Sequence, residues 1–129
     1  MTDFGPILGS VPARSEFVPV LRGMVASVGA RVDLPYEQID ELRMAVDEAC
    51  ALLLRLSPGD TLWLRLQPSE DDSMTAEVGS DAPVSDWPPP AIEESWPWRV
   101  IAGLSDEARF EVSDRGPSIV IVKRVPSLR

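Results

Sequence analysis

Hydrophobic positions between Pro35 and Leu56 recur at spacings of three and four: Ile39, Leu42, Val46, Ala49, Leu53 and Leu56. At 3.6 residues per turn they form one stripe, which predicts an amphipathic helix over 35–56 with Pro35 at its first position. Glu48 and Leu52, four residues apart and roughly opposite Ile39 and Val46, fall on a second face that would line a cleft. An earlier stripe of Phe17, Val20, Leu21, Met24, Val25 and Val28 predicts a helix over 15–28. Gly29 stops it and Pro19 blurs its start, because a proline past the first turn removes a backbone donor.

Elsewhere the period changes to two. Leu62, Leu64 and Leu66 alternate with Thr61, Trp63 and Arg65, and Met74, Ala76 and Val78 repeat the pattern after a polar turn over 68–73. This predicts an antiparallel hairpin. A short apolar run over 6–11 predicts a first strand, and the Leu56-Ser57-Pro58-Gly59 stretch ends the long helix in turn residues. Residues 79–97, rich in proline and acid and containing the triplet Pro88-Pro89-Pro90, show no period and predict a long loop. A short helix over 98–104 then leads to strands over 108–112 and 118–122, joined at Gly116-Pro117.

The 129 residues suit one domain, taken as 1–129, with a normal hydrophobic fraction of 44%. No apolar run reaches membrane-spanning length and the start lacks a secretory pattern, so a cytoplasmic protein is expected. The formal net charge of −9, with Lys123 the one lysine, disfavours direct contact with nucleic acid or an anionic membrane and suits either solubility or a basic partner. Absence of histidine removes Ser/His/Asp and Cys/His catalysis and the common metal enzymes. Cys50, alone, permits no internal disulfide and is expected to pack on its helix. Trp87, Trp96 and Trp98 gather around the loop and would cap the local core or anchor a partner.

The order strand, helix, helix, hairpin, loop, helix, hairpin, together with DELRMAVDEAC and the late WRVIAGLSDEARFEV and IVIVKRV segments, resembles the RsbW-type anti-sigma factors. These are serine kinases of the histidine-kinase-like ATPase superfamily (GHKL, or Bergerat, fold), and the likeness is to divergent actinobacterial members. It implies an α+β fold: a two-layer α/β sandwich whose mixed, mainly antiparallel sheet carries helices on one face. In such kinases the second helix bears Glu-x-x-x-Asn, with glutamate as general base and asparagine on Mg²⁺. Glu48 holds the glutamate position, as a vestigial base or simply an exposed carboxylate, whereas Leu52 stands where asparagine is expected and offers a hard cation no oxygen.

The family's Asp-x-Gly-x-Gly, which reads adenine, is reduced to Gly79-Ser80-Asp81-Ala82-Pro83, with Asp81 a weak candidate only after a one-residue shift. Its glycine-rich phosphate loop is replaced by Glu93-Glu94-Ser95-Trp96-Pro97-Trp98, and the proline-rich loop over 79–97 takes the place of the nucleotide lid. Trp96 or Trp98 is therefore expected to lie over the face of Glu48 and Leu52 and fill a degenerate nucleotide site. No metal site and no cofactor are expected, although the resemblance leaves ATP and Mg²⁺ open. The implied role is capture of an alternative sigma factor, release by an anti-anti-sigma (STAS-domain) protein, and homodimerisation. An active serine kinase and another regulatory scaffold remain the alternatives.

Overall fold

The computed structural model describes residues 5–69 and 71–125. Three helices, α1 (Val18–Arg31), α2 (Tyr36–Leu56) and α3 (Trp96–Leu104), accompany five strands: β1 (Ile7–Pro12), β2 (Thr61–Pro68), β3 (Ser73–Ser80), β4 (Glu107–Ser113) and β5 (Gly116–Arg124). The sheet order is β1-β2-β3-β5-β4. Every pairing is antiparallel, so the parallel component of the expected mixed sheet is absent among the described residues. Both tight hairpins join neighbours, and the 92–104 segment carries the chain from β3 across to the far edge before it returns as β5.

Period-two alternation sorts the sheet into two faces. Leu62, Leu64 and Leu66 of β2, Met74, Ala76 and Val78 of β3, and Ile119 and Ile121 of β5 are all buried in one cluster with the helices. One cross-strand row runs Gly9, Leu64, Val78, Ile119, Phe110. Over it lies the α2 stripe, with Leu42, Val46, Ala49 and Leu53 essentially inaccessible to solvent. Each large aliphatic side chain so buried contributes roughly 1.5–3 kcal/mol relative to an exposed one. The apolar period of α2 therefore fixes which side of the helix faces the sheet. No helix among the described residues is long and apolar enough to cross a membrane.

Three helix boundaries depart from the sequence expectation. Residues 15–17 form a single 3₁₀ turn before α1, because Pro19 lies in the first turn of the helix, where its missing donor is harmless. At the other end α1 passes through Gly29 and stops after Arg31. Gly29 is a packing residue: a β-carbon there would approach Cγ1 of Ile39 to 2.8 Å, so its absence lets α1 and α2 close together. Pro35 is the N-cap of α2, with extended backbone, and the helix proper begins at Tyr36.

Segment 79–97 is likewise more ordered than a featureless loop. β3 continues to Ser80, Ile92–Glu94 form a 3₁₀ turn, and α3 starts at Trp96. The signal for the helix start is local: the side-chain oxygen of Ser95 accepts from the backbone N–H of Trp98, with Pro97 in the first turn. At the C-terminal end of α3 the ammonium of Lys123 donates to the Leu104 carbonyl (2.8 Å) and pairs with Glu41 (3.0 Å). One nearly buried lysine thus ties α3, α2 and β5 together.

Candidate functional site

Glu48 and Leu52 share a helix but not an environment. Leu52 is only 1% exposed and belongs to the core cluster that includes Ile92, Trp98 and Ile101. Glu48 is half-buried at a groove of about 340 Å³ between the start of α1 and the second half of α2. Val18, Pro19, Ala51 and Leu54 give this groove apolar walls, and Arg22, Asp47 and Glu48 give it charge. Arg22 is committed to Asp47 at 2.8 Å, whereas Glu48 makes no hydrogen bond or ion pair among the described residues. The two positions therefore do not line one open cleft: the helix turns Leu52 into the core while Glu48 faces solvent beside α1.

The tryptophans separate in the same way. Trp98 is buried and stacks on Phe110 of β4, with ring centroids 4.1 Å apart, and Trp87 meets the same ring edge-on at 5.3 Å. The Trp87 indole N–H donates to the Ser118 carbonyl at 3.1 Å, which satisfies its polar end. These contacts hold the proline-rich segment against β4 and β5. Trp96 is 75% exposed, so it does not cover the face of α2 that the sequence suggested. The physical reason is helix phase: Trp96 and Trp98, two residues apart at the start of α3, point in different directions.

Asp81 serves the backbone. Its carboxylate accepts from the N–H groups of Asp60 (2.8 Å) and Thr61 (3.0 Å), where the chain enters β2. Nearby, the buried Ser80 hydroxyl donates to the Ser57 carbonyl at 2.8 Å and accepts from Ala82 N–H at 3.0 Å. Gly59 makes this join possible, since a β-carbon there would collide with the Asp81 carboxylate. The hydrogen bond from Thr61 does most to lower the Asp81 pKa; desolvation opposes it as the second-largest influence, and the bond from Asp60 adds a smaller lowering.

A carboxyl whose folded-state pKa is lowered stabilises the fold above its unfolded value of about 3.9. That contribution disappears as pH falls through the folded value. Asp81→Ala should therefore cost about 1 kcal/mol at neutral pH, after discounting two charge-assisted bonds for solvent screening. The deficit should vanish in strong acid. Urea titrations of both proteins between neutral and strongly acidic pH check this, and a deficit independent of pH would exclude the charge-assisted clamp.

The residues present do not fit a Mg²⁺-nucleotide. The position where the resemblance asks for a metal ligand carries an alkyl side chain sealed in the core. The adenine-reading candidate, Asp81, commits one carboxylate oxygen, Oδ1, to two backbone donors at the entry to β2. The phosphate-loop segment is anchored by Trp87 and Trp98 and has proline at 88, 89, 90 and 97. Cys50 adds no chemistry either: burial, and secondarily Asp47, push its thiol up to about 12, so no thiolate forms at neutral pH.

Sequence reasoning missed Arg22, Ser80 and the Trp87–Ser118 contact. Each joins residues more than twenty positions apart. Only Ser57, next to Pro58 and Gly59, carried a local hint, as a turn former.

No family model matches the chain. It is 32% identical over 111 residues to the anti-sigma-F factor RsbW of Mycobacterium tuberculosis, a match covering 85% of this chain and 64% of that protein. To the serine-protein kinase RsbW of Halalkalibacterium halodurans it is 36% identical over 64 residues, covering 48% of this chain and 40% of that protein. The fold superposes on a crystal structure of RsbU and RsbW domains from M. tuberculosis with a TM-score of 0.67 at 14% identity. That alignment covers 95% of this chain and 32% of the other. The chain thus spans somewhat under two thirds of the length of the mycobacterial factor, and the architecture is that of the histidine-kinase-like ATPase fold.

Proposed function

Because the chain is a homologue of the RsbW proteins and has the fold of their domain, we propose that it is a cytoplasmic anti-sigma regulatory factor. It captures an alternative sigma subunit, gives it up to an anti-anti-sigma (STAS-domain) protein, and works as a homodimer without direct contact to nucleic acid or membrane. The observation that carries this reading over an active serine kinase is the burial of Leu52 at the position of the metal ligand. Glu48 is then a vestigial base: a carboxylate at the right place on α2, next to a residue that cannot hold a cation. Segment 79–97 takes the place of a nucleotide lid, with Trp98 packed inside and Trp96 outside.

The charge distribution supports capture. Sigma subunits bind DNA and so present basic surface, while α2 offers Glu37, Asp40, Asp47 and Glu48. The groove sets Glu48, and Asp47 already paired with Arg22, against apolar walls, a combination suited to a partner segment with both apolar and basic side chains.

The test is association with the alternative sigma subunits of the host, measured by surface plasmon resonance across ionic strengths. A complex is expected whose on-rate falls as salt rises, since a net charge of −9 is screened over about 8 Å at physiological ionic strength. Binding to no sigma subunit would remove the proposal. In the same preparation, calorimetry with ATP and Mg²⁺ should show no affinity tighter than about 1 mM, roughly −4 kcal/mol. A micromolar titration would revive the kinase reading.

A further inference from the structure

We propose that the free edge of β4 is the homodimer surface, and that two copies pair β4 against β4 in antiparallel register about Phe110. This inference deepens the homodimer part of the reading above and is independent of sigma capture. β4 ends the sheet, and its pairing with β5 is unbroken from Glu107 to Ser113. It contains no proline and no bulge, and among the described residues no backbone group on its free side bonds to another segment. Such an edge is a template for a further strand. The opposite edge, β1, ends in Pro12, which removes a donor.

The sequence of β4 says which strand fits. EARFEVS is charge-complementary to itself when read antiparallel about Phe110. Arg109 then lies opposite the second copy's Glu111, and by symmetry Glu111 lies opposite its Arg109. A slip of one pair to centre Arg109 would set arginine against arginine and Glu107 against Glu111. A slip to centre Glu111 would set glutamate against glutamate. Charge therefore selects one register, in which both copies keep their helices on the same side of a continuous sheet. In the single chain Arg109 and Glu111 already pair with each other at 3.3 Å, both exposed, and can exchange partners across the edge.

A knob and a groove agree with this register. Val112 is 55% exposed and, by alternation with Ala108 and Phe110, stands on the helix-bearing side of the sheet. In the proposed pairing it lies opposite Ala108 of the second copy. Ala108 lines a groove of about 300 Å³ along the same edge, together with Pro88, Glu93, Trp98, Arg109 and Phe110. An isopropyl group entering that groove loses its water contact against apolar walls, and the twofold repeats the contact. Because one edge buries little surface, the dimer should be weak, with a micromolar dissociation constant.

Sedimentation velocity over a concentration series tests the proposal. Arg109→Glu and Glu111→Arg, each placing two like-charge pairs across the interface, should weaken dimerisation at least about tenfold. The double exchange Arg109→Glu with Glu111→Arg should restore it to near the wild-type level. Val112→Asp, which brings a carboxylate beside Glu93 at a position exposed in the single chain, should weaken the dimer while thermal unfolding at low protein concentration stays unchanged. A chain that remains monomeric at about 100 µM overturns both this inference and the homodimer reading. A dimer indifferent to the single reversals, or a double exchange that fails to recover, overturns the β4 surface and leaves sigma capture untouched.

Discussion

Replacing Leu52 with asparagine, the residue that the RsbW resemblance expects there, lowers stability by about 3–5 kcal/mol and confers no measurable nucleotide binding. Leu52 is 1% exposed. The substitution removes a core alkyl group, which alone costs about 2–5 kcal/mol, and leaves an amide without an assured partner in an apolar cluster. At this chain length a loss of that size moves the unfolding midpoint by roughly 10 °C or more. Thermal and urea unfolding measure the stability, and calorimetry with ATP and Mg²⁺ measures the binding. A Leu52→Asn variant as stable as wild type would show that the position opens to solvent, and the core assignment of Leu52 would fall.

The second large effect distinguishes two tryptophans two residues apart. Trp98→Ala should cost about 3–5 kcal/mol, since it deletes a buried indole stacked on Phe110 and unseats one wall of the β4 groove. Trp96→Ala should fall within about 0.5 kcal/mol of wild type, as an exposed side chain removed from a surface usually does. Acrylamide quenching of variants that retain one tryptophan at a time gives an independent reading: Trp96 quenches freely and Trp98 is protected. Equal costs for the two substitutions, or equal quenching, would reverse the assignment of inside and outside at the start of α3.

Much of the architecture was legible because the relevant signals are local and periodic. The α2 stripe, the Leu62-Leu64-Leu66 alternation and its Met74-Ala76-Val78 partner each identify both an element and its buried face. Gly29 misled for a physical reason. Glycine ends helices through backbone freedom, but it also permits close packing, and the Ile39 contact that decides between these roles lies ten residues away in sequence. Helix phase likewise placed Glu48 and Leu52 on one side of α2, yet which part of that side meets the core depends on where α1 and α3 settle. The site was less legible than the fold. Asp81 reads as a motif remnant until its two backbone donors are seen, and those belong to a turn twenty residues earlier.

Lys123 has a practical consequence for studying assemblies of this protein. It is the single lysine of the chain, 8% exposed, with its ammonium held between Glu41 and the Leu104 carbonyl. Reagents that target side-chain amines, whether fluorescent esters, acetyl donors or lysine cross-linkers, thus meet a folded protein with almost no reactive side chain to offer. Complexes with a lysine-rich partner would be marked on the partner alone, and carboxyl-directed chemistry, with 21 acidic residues available, is the productive route to mapping the contact. Lys123 becomes modified at an appreciable rate only when α3 lifts from α2 and β5, so its labelling rate reports the opening of that junction.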